Sequence, residues 1–368
     1  MNKVFILIIS CFFLTLASAG AQTLITKEAM NSFAQYTSSK DIKKLEIARA
    51  KIDEAYKTKA DSSDSRHNLI RALVYSTLAH VDSNLKYTYK KDPVDEVLLA
   101  MKHVYGSKIE RENRDRITYI EKQLKETYLF RANKALKNRK SEEAFKYFTI
   151  LESIDKTNIS IIHNLALLAQ ELGYYQKSVV YYEKLTQIRP RPEYFLVLAN
   201  LYELINDESN IIRVLNAGAD NFPANRDIVF KLLNSLQNKA EYGEIIKHIV
   251  QALKLDENNI NLNYLAGFSH EMLGNTTKAE GYYKSIIEIN PNNFDANYAL
   301  GLLYLNLYLK DKKQNNIRYV AKSYLTKANE INPNEIKSLN SLAIYYKQSG
   351  ETTELQKINN RINQLKLN

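Results

Sequence analysis

Residues 260–293 read INLNYLAGFSHEMLGNTTKAEGYYKSIIEINPNN, and they contain two amphipathic segments joined by a short turn. Gly274 supplies the left-handed backbone that ends a helix. Gly267, within the first segment, and Ala279, at the start of the second, are small enough to let two antiparallel helices approach closely. Tyr283 follows Ala279 by four positions and therefore lies on the same helical face. The stretch predicts a helix–turn–helix whose aromatic residue packs toward the next pair.

Proline spacing shows that this helix–turn–helix recurs along the chain. Pro190 and Pro223 lie 33 residues apart, Pro223 and Pro291 lie 68 apart, and Pro291 and Pro333 lie 42 apart. Each follows an apolar segment, as expected because proline is disfavoured inside helices and restricts the residue before it. The intervals indicate a repeat of about 34 residues, with eight extra residues around 310–319.

Small and aromatic residues recur in the same register. The positions are the small residue of the first helix (Ala132, Ala166, Ala199, Gly267, Gly301), the small residue opening the second (Ala144, Ala279, Ala321), the aromatic after it (Phe148, Tyr182, Tyr283) and a small residue near its end (Ala252, Ala328). This pattern resembles the tetratricopeptide repeat. The resemblance implies an all-α fold, a right-handed α-solenoid of stacked helix-turn-helix repeats.

The sequence departs from the family pattern in two ways, and the resemblance also implies a domain organisation. The family's first-helix Trp is absent throughout, and the repeat at 226–259 has Leu233 and Glu257 where a small residue and proline are expected. We predict a signal peptide at 1–21, divergent helical repeats at 22–124, six repeats at 125–334, and a final repeat with a C-terminal capping helix at 335–368. The last helix is polar, as a cap requires.

The segment at 1–21, MNKVFILIISCFFLTLASAGA, has the pattern of a bacterial secretory signal peptide. Lys3 precedes an apolar run at 4–16, and small residues follow it. Cleavage fits after Ala19 or Ala21; we favour Ala21, which makes Gln22 the first mature residue.

Two other readings of this segment are a membrane anchor and a lipoprotein signal. The apolar run of about 13 residues is shorter than the ~20 that span a bilayer. Cys11 lies inside the run, which disfavours lipid attachment. We therefore expect an exported protein of the periplasm or cell surface, with no transmembrane segment after signal cleavage and no cysteine.

Composition and motifs argue against catalysis. The sequence lacks the G-x-S-x-G, phosphate-loop and dinucleotide-binding motifs, and none of the six histidines has a second His or Cys at metal-ligand spacing. His270-Glu271 begins like a zinc-protease helix, but Gly274 stands where the second His is needed. We expect no enzyme activity, no metal and no cofactor.

The net charge of +10 does not form a phosphate-binding stripe. Arg111, Arg114 and Arg116 alternate with acidic residues, which is typical of a solvated face. We expect no nucleic-acid partner, and only a weak, salt-dependent attraction to anionic surfaces.

The resemblance implies a concave groove lined by the outward face of the first helices. The positions carried over are Leu129, Asn133, His163, Leu167, Leu196, Asn200, Phe230, Asn234, Tyr264, Phe268, Tyr298 and Leu302. Asparagine amides can pair with an extended peptide backbone, and the aromatics can hold apolar side chains. For each aromatic, packing against the neighbouring repeat remains the alternative. No Lys stands at the positions that clamp a chaperone's terminal carboxylate in this family.

Two functions are consistent with these features. The first is a non-catalytic scaffold of the bacterial cell envelope that holds a peptide or helix of another envelope or secreted protein in the groove. The alternative is a carbohydrate- or peptidoglycan-associated envelope protein, with or without an unrecognised enzymatic site, favoured by the tyrosine-rich groove.

Overall fold

The computed structural model describes residues 24–56, 59–311 and 315–367, and these ranges form twenty α-helices and no strand. The predicted signal segment, with Cys11 and both cleavage positions, lies outside the described residues. The helices are α1 (24–39), α2 (Ile42–Glu54), α3 (Lys59–Ser63), α4 (Ser65–Val81), α5 (Pro93–Val104), α6 (Lys108–Glu112), α7 (Arg114–Lys137), α8 (Ser141–Ile154), α9 (Ile159–Glu171), α10 (Tyr175–Ile188), α11 (Pro192–Leu204), α12 (Glu208–Asn221), α13 (Arg226–Asn238), α14 (Tyr242–Leu255), α15 (Ile260–Met272), α16 (Thr276–Ile289), α17 (Phe294–Lys310), α18 (Asn315–Ile331), α19 (Ile336–Ser349) and α20 (Thr352–Leu367).

The chain divides into two compact units, Met1–Lys184 and Leu185–Asn368, with the boundary inside α10. In the second unit each odd-numbered helix from α11 onward packs on the even-numbered helix that follows it. The pairs then stack in chain order, α12 on α13, α14 on α15, α16 on α17 and α18 on α19. The predicted all-α solenoid of stacked helix pairs is confirmed.

Polar caps and prolines fix where the helices of each pair begin and end. Before four first helices stands an asparagine whose Oδ1 accepts the backbone N–H three residues on, at 2.9 to 3.2 Å: Asn158, Asn225, Asn259 and Asn293. Such caps satisfy amides that have no partner within the helix. Pro190, Pro223, Pro291 and Pro333 each lie two residues after a second helix ends, as predicted.

In six helix pairs the turn between the helices contains one residue in the left-handed region. Gly173, Gly274 and Gly350 occupy it with φ of 74 to 77°, as predicted. In three other pairs the equivalent turn residue is Arg139, Asn206 or Ala240, each with φ of 56°. The turn geometry is therefore kept even where the residue is not glycine, at a cost of roughly 1–2 kcal/mol for a residue that carries a Cβ.

The two helices of a pair meet at the predicted small residues. Ala132, Ala166, Ala199, Gly267 and Gly301 are all buried. A Cβ at Gly267 would lie 2.6 Å from Cε1 of Tyr283, and one at Gly301 would lie 2.6 Å from Cδ2 of Leu325. These glycines are therefore required by close contact between the helices.

The predicted insertion lengthens two helices. The first helices α9, α11, α13 and α15 have 13 residues, whereas α17 has 17, and α18 has 17 where α16 has 14. Tyr308, near the end of α17, packs against Tyr345 of α19 with ring centroids 6.1 Å apart. The extra residues thus enlarge the contact with the final pair. Its polar second helix, α20, has one fully buried residue, Ile362.

In the part of the first unit that precedes α7, a buried cation joins the helices. Arg71 of α4 donates to Glu96 of α5 at 2.8 Å and to Asp53 of α2 at 2.7 Å. Its guanidinium lies between the rings of Tyr56 and Tyr75, 4.5 and 4.6 Å from their centroids. One side chain therefore joins three helices.

Position 125, where regular repeats are predicted to begin, falls inside α7, a continuous helix of 24 residues. Within the ranges given above, no helix combines the length and the apolar character that crossing a bilayer would need.

Gly301→Ala tests the close contact between α17 and α18. The added methyl would also lie 3.1 Å from the backbone nitrogen of Leu325, so the helices must separate. We expect the free energy of unfolding to fall by about 1–3 kcal/mol, measured by urea denaturation.

Gly281→Ala is the matched control, because nothing lies within 4 Å of its Cβ position. Alanine there is expected to stabilise the protein by up to ~1 kcal/mol through helix propensity. Equal stability of the two variants would contradict the contact.

His270 of α15 is a buried titratable group, 3% exposed. Its ring stacks on that of Tyr282 at 5.6 Å, and its Nδ1 has no hydrogen-bond partner among the described residues. Burial, and less strongly the charge of Lys278, lowers the pKa of His270. The imidazole is therefore neutral in the folded protein.

This burial predicts a stability that falls with acidification. The unfolded chain takes up a proton at His270 near pH 6.5, whereas the folded chain, in which the pKa of His270 is lowered, takes it up only at a lower pH. The unfolded state therefore binds more protons as the pH falls through 6.5. His270→Phe keeps the ring stack and removes the titration. The melting temperature of the variant should rise relative to the unmodified protein as the pH falls from 7.5 to 5.

Gly281→Ala, which changes no titratable group, provides the control, since it should leave that pH dependence unchanged. If the difference in melting temperature between the His270→Phe variant and the unmodified protein stayed constant with pH, the lowered pKa of His270 would be contradicted.

Candidate functional site

The twelve predicted groove residues lie in pairs on the first helices α7, α9, α11, α13, α15 and α17, and none of them is buried. Leu129, Asn133, Leu167, Asn200 and Asn234 are exposed. The other seven are partly buried. Four of the twelve belong to the first unit and eight to the second, and each group is described within its own unit.

A cavity of about 420 Å³ brings together four of these residues in the second unit. It opens between α13, which contributes Phe230 and Asn234, and α15, which contributes Tyr264 and Phe268. The remaining lining residues are Leu233, Gln237, Asn259, Asn261, Leu262 and Leu265. This cavity is the candidate functional site, and we call it the α13–α15 cavity.

Aromatic rings form one wall of the α13–α15 cavity and are supported from behind. The rings of Tyr264 and Phe268 are parallel, with 6° between their planes and centroids 6.5 Å apart. Tyr242 meets Phe268 edge-on at 5.6 Å, and Tyr283 meets Tyr264 at 5.7 Å. Because each ring is also held by a second aromatic ring outside the lining, the surface that they present is preformed.

Phe230 is the aromatic residue that α13 contributes to the cavity. The Arg226 guanidinium lies 4.8 Å from its ring centroid and donates to Asp256 at 2.7 Å. Arg226 is thus neutralised by a carboxylate and lies outside the lining. Burial, with the nearby charge of Asp295, raises the pKa of Tyr264, so its hydroxyl stays protonated and able to donate.

Amide side chains supply the polar groups of the cavity. Asn259 is committed to its helix cap, since its Oδ1 accepts from the backbone N–H of Leu262 at 3.0 Å. Asn234, Gln237 and Asn261 are exposed, and their side chains make no hydrogen bond to protein atoms in the described ranges. All ten lining residues are uncharged. The cavity therefore combines an apolar floor with three uncommitted amides.

Tyr298 packs against the neighbouring repeat, which was the alternative role for each aromatic predicted to line the groove. Its hydroxyl lies 3.2 Å from Oγ of Ser341 and donates to the carbonyl of Lys337 at 3.3 Å. Its ring also stacks on Phe294 at 5.7 Å. Tyr298 therefore joins α17 to α19 and does not line the cavity.

The sequence reasoning missed Leu233, Gln237 and Asn261 as lining residues. Leu233 was noted only as a bulky residue at the small position of its repeat, and that bulk now forms part of the apolar wall. Gln237 lies one turn after Asn234 on the same face of α13, so the helical period alone could have identified it.

No group of three or more His, Cys, Asp or Glu side chains suited to a metal ion occurs in the part of the chain that the structure describes.

Comparison with known proteins places the repeats in a family. Family models described as tetratricopeptide repeat match residues 159–192 and residues 282–315. The first segment covers α9 and α10, and the second covers most of α16 and all of α17. Both segments have the 34-residue length inferred from the proline spacing.

Two curated proteins show the same similarity over part of their length. Anaphase-promoting complex subunit 3 of Schizosaccharomyces pombe is 22% identical over 210 residues, which are 57% of this chain and 30% of that protein. Tetratricopeptide repeat protein 37 of Xenopus laevis is 32% identical over 81 residues, 22% of this chain and 5% of that protein. The chain spans less than a third of the length of these relatives.

Solved structures with similar helix arrangements include two tetratricopeptide-repeat proteins. YrrB, described as having an unusual peptide-binding site, has 18% identity and a TM-score of 0.38, over 53% of this chain and 96% of that one. The C-terminal part of a repeat protein from Cytophaga hutchinsonii has 18% identity and a TM-score of 0.43, over 65% of this chain and 95% of that one. The two matched models fall on stacked helix pairs, so the chain contains tetratricopeptide repeats at residues 159–192 and 282–315.

Proposed function

We propose that this protein is a non-catalytic scaffold that binds an extended segment of a partner protein in the α13–α15 cavity. Tetratricopeptide-repeat proteins bind protein partners, which supports the general role. The particular observation that carries the proposal is that one cavity collects four predicted groove residues, three uncommitted amides and no charge.

The chemistry of the lining favours a peptide backbone. An amide side chain has both donors and an acceptor, so Asn234, Gln237 and Asn261 can pair with the N–H and C=O groups of an extended chain. Tyr264 and Phe268 offer a preformed apolar surface for one bulky side chain. A charged side chain would lose water without gaining an opposite charge, which is unfavourable. The expected ligand is therefore uncharged at its centre.

The lining also supports a binding role without catalysis. Its side chains are aromatic, aliphatic or amide, and none of the ten is a carboxylate, histidine, serine or cysteine. General acid–base and nucleophilic chemistry mostly use such groups, and the pKa of Tyr264, the one hydroxyl in the lining, is raised by burial, which disfavours its use as a base.

The cellular location is part of the proposal and rests on the sequence of residues 1–21. A short basic start, an apolar run and small residues favour export from a bacterial cytoplasm. The partner would then be another envelope or secreted protein, with the site in the periplasm or at the cell surface.

Peptides selected by display on the purified protein provide the test, with affinities measured by calorimetry. Selected peptides should carry a bulky apolar residue between uncharged neighbours. The double variant Asn234→Leu/Asn261→Leu removes two amides from exposed positions and should weaken binding about tenfold or more, since each hydrogen bond contributes roughly 1 kcal/mol.

Asn238→Leu is the matched control, because Asn238 is an exposed amide on α13 outside the cavity. The affinity of the Asn238→Leu variant for the same peptides should stay within twofold of that of the unmodified protein. Peptides that bind the double variant as tightly as the unmodified protein would refute the site. Salt-resistant co-sedimentation with purified cell wall, abolished by the double variant, would instead support the carbohydrate-associated alternative.

A further inference from the structure

A second groove, of about 460 Å³, lies between the second helices α8 and α10 of the first unit. Residues 145, 149 and 152 of α8 follow a four- and three-residue spacing, so they share one face. The facing side of α10 contributes Val180 and Tyr181. The groove is separate from the α13–α15 cavity, because it belongs to other helices and to the other unit.

The floor of this α8–α10 groove is apolar and open. Phe145 and Tyr181 are each 9% exposed and form a flat base, and Val180 is 54% exposed above it. Thr149 is exposed between them. A large fraction of an aliphatic side chain is thus left in water at the centre of a groove, where a bound apolar group would cover it.

The one carboxylate in the α8–α10 groove is already saturated. Oε1 of Glu152 accepts from the ammonium of Lys184 at 2.6 Å, and Oε2 accepts from the hydroxyl of Tyr181 at 3.1 Å. Both oxygens therefore have a partner within the groove wall, and Glu152 and Lys184 compensate each other.

Lys177 is the uncompensated charge. Its Nζ lies 5.4 Å from the ring centroid of Phe145 and 5.0 Å from that of Tyr174. These rings meet edge-on at 5.8 Å, and the hydroxyl of Tyr174 donates to Glu142 at 2.6 Å. In the described ranges no carboxylate pairs with Lys177. An ammonium held over aromatic faces at the groove edge is placed to meet an incoming anion.

We propose that the α8–α10 groove binds an acidic amphipathic helix of a partner protein. An apolar residue of that helix covers Val180 and the Phe145–Tyr181 floor, and a neighbouring Asp or Glu pairs with Lys177. A helix fits because a groove between two helices accepts the side-chain ridge of a third. The charge of Lys177 disfavours a basic helix at the same place.

Fluorescence anisotropy with two synthetic helical peptides tests the proposal on the purified full-length protein. Both peptides are 18 residues long with leucines along one face; one carries Glu at the flanking positions and the other carries Lys. The Glu peptide should bind about tenfold or more tightly than the Lys peptide. Lys177→Glu and Val180→Asn should each weaken binding of the Glu peptide by a similar factor, since both positions are exposed and the helical content should stay unchanged by circular dichroism.

Two controls isolate the groove. Lys146→Glu makes the same charge change at an exposed residue of α8 outside the lining, and it should alter the affinity less than twofold. The double variant Asn234→Leu/Asn261→Leu should also leave the affinity for the Glu peptide unchanged. The test of the α8–α10 groove is therefore independent of whether the α13–α15 cavity binds a peptide.

Three results would overturn the proposal. They are equal binding of the two peptides, equal loss in the Lys146→Glu and Lys177→Glu variants, and binding to phosphatidylglycerol vesicles through Lys177 without binding to the Glu peptide.

Discussion

The structure depends on the short distance between the two helices of a pair, which a small buried residue permits in five pairs. Where Gly267 faces Tyr283 and Gly301 faces Leu325, even one methyl group would have to displace atoms of the partner helix. This contact sets how each second helix lies on its first helix, and so which faces remain for the next pair. The outward faces of α13 and α15, which form the α13–α15 cavity, are a consequence of that spacing.

Much of the fold could be predicted from the sequence because few residues satisfy its strictest positions. A residue at a helix–helix contact must be small, a helix stop is marked by proline, and a left-handed turn favours glycine. The turn residues Arg139, Asn206 and Ala240 could not be predicted in this way, because the neighbouring helices impose the left-handed turn on residues that do not favour it. The asparagine caps were missed because asparagine is frequent throughout this chain.

The candidate site could be predicted only in part, since packing of neighbouring helices decides which outward residues remain accessible. Tyr298 and Tyr264 occupy the same repeat position, yet Ser341 and Lys337 engage one hydroxyl while the other ring lines a cavity. In the first unit, the three-helix contact of Arg71 pairs residues up to 25 positions apart. No periodic pattern indicates which carboxylate will meet that guanidinium.

The stacked pairs also affect how the chain acquires its structure. Hydrogen bonds that join one pair to the next span short distances along the sequence, such as 28 residues from Lys231 to Glu203 and 43 from Tyr298 to Ser341. Contacts this local close small loops and lose little chain entropy before they form. Each pair can therefore fold as soon as it and its predecessor leave the ribosome, without waiting for the C-terminus.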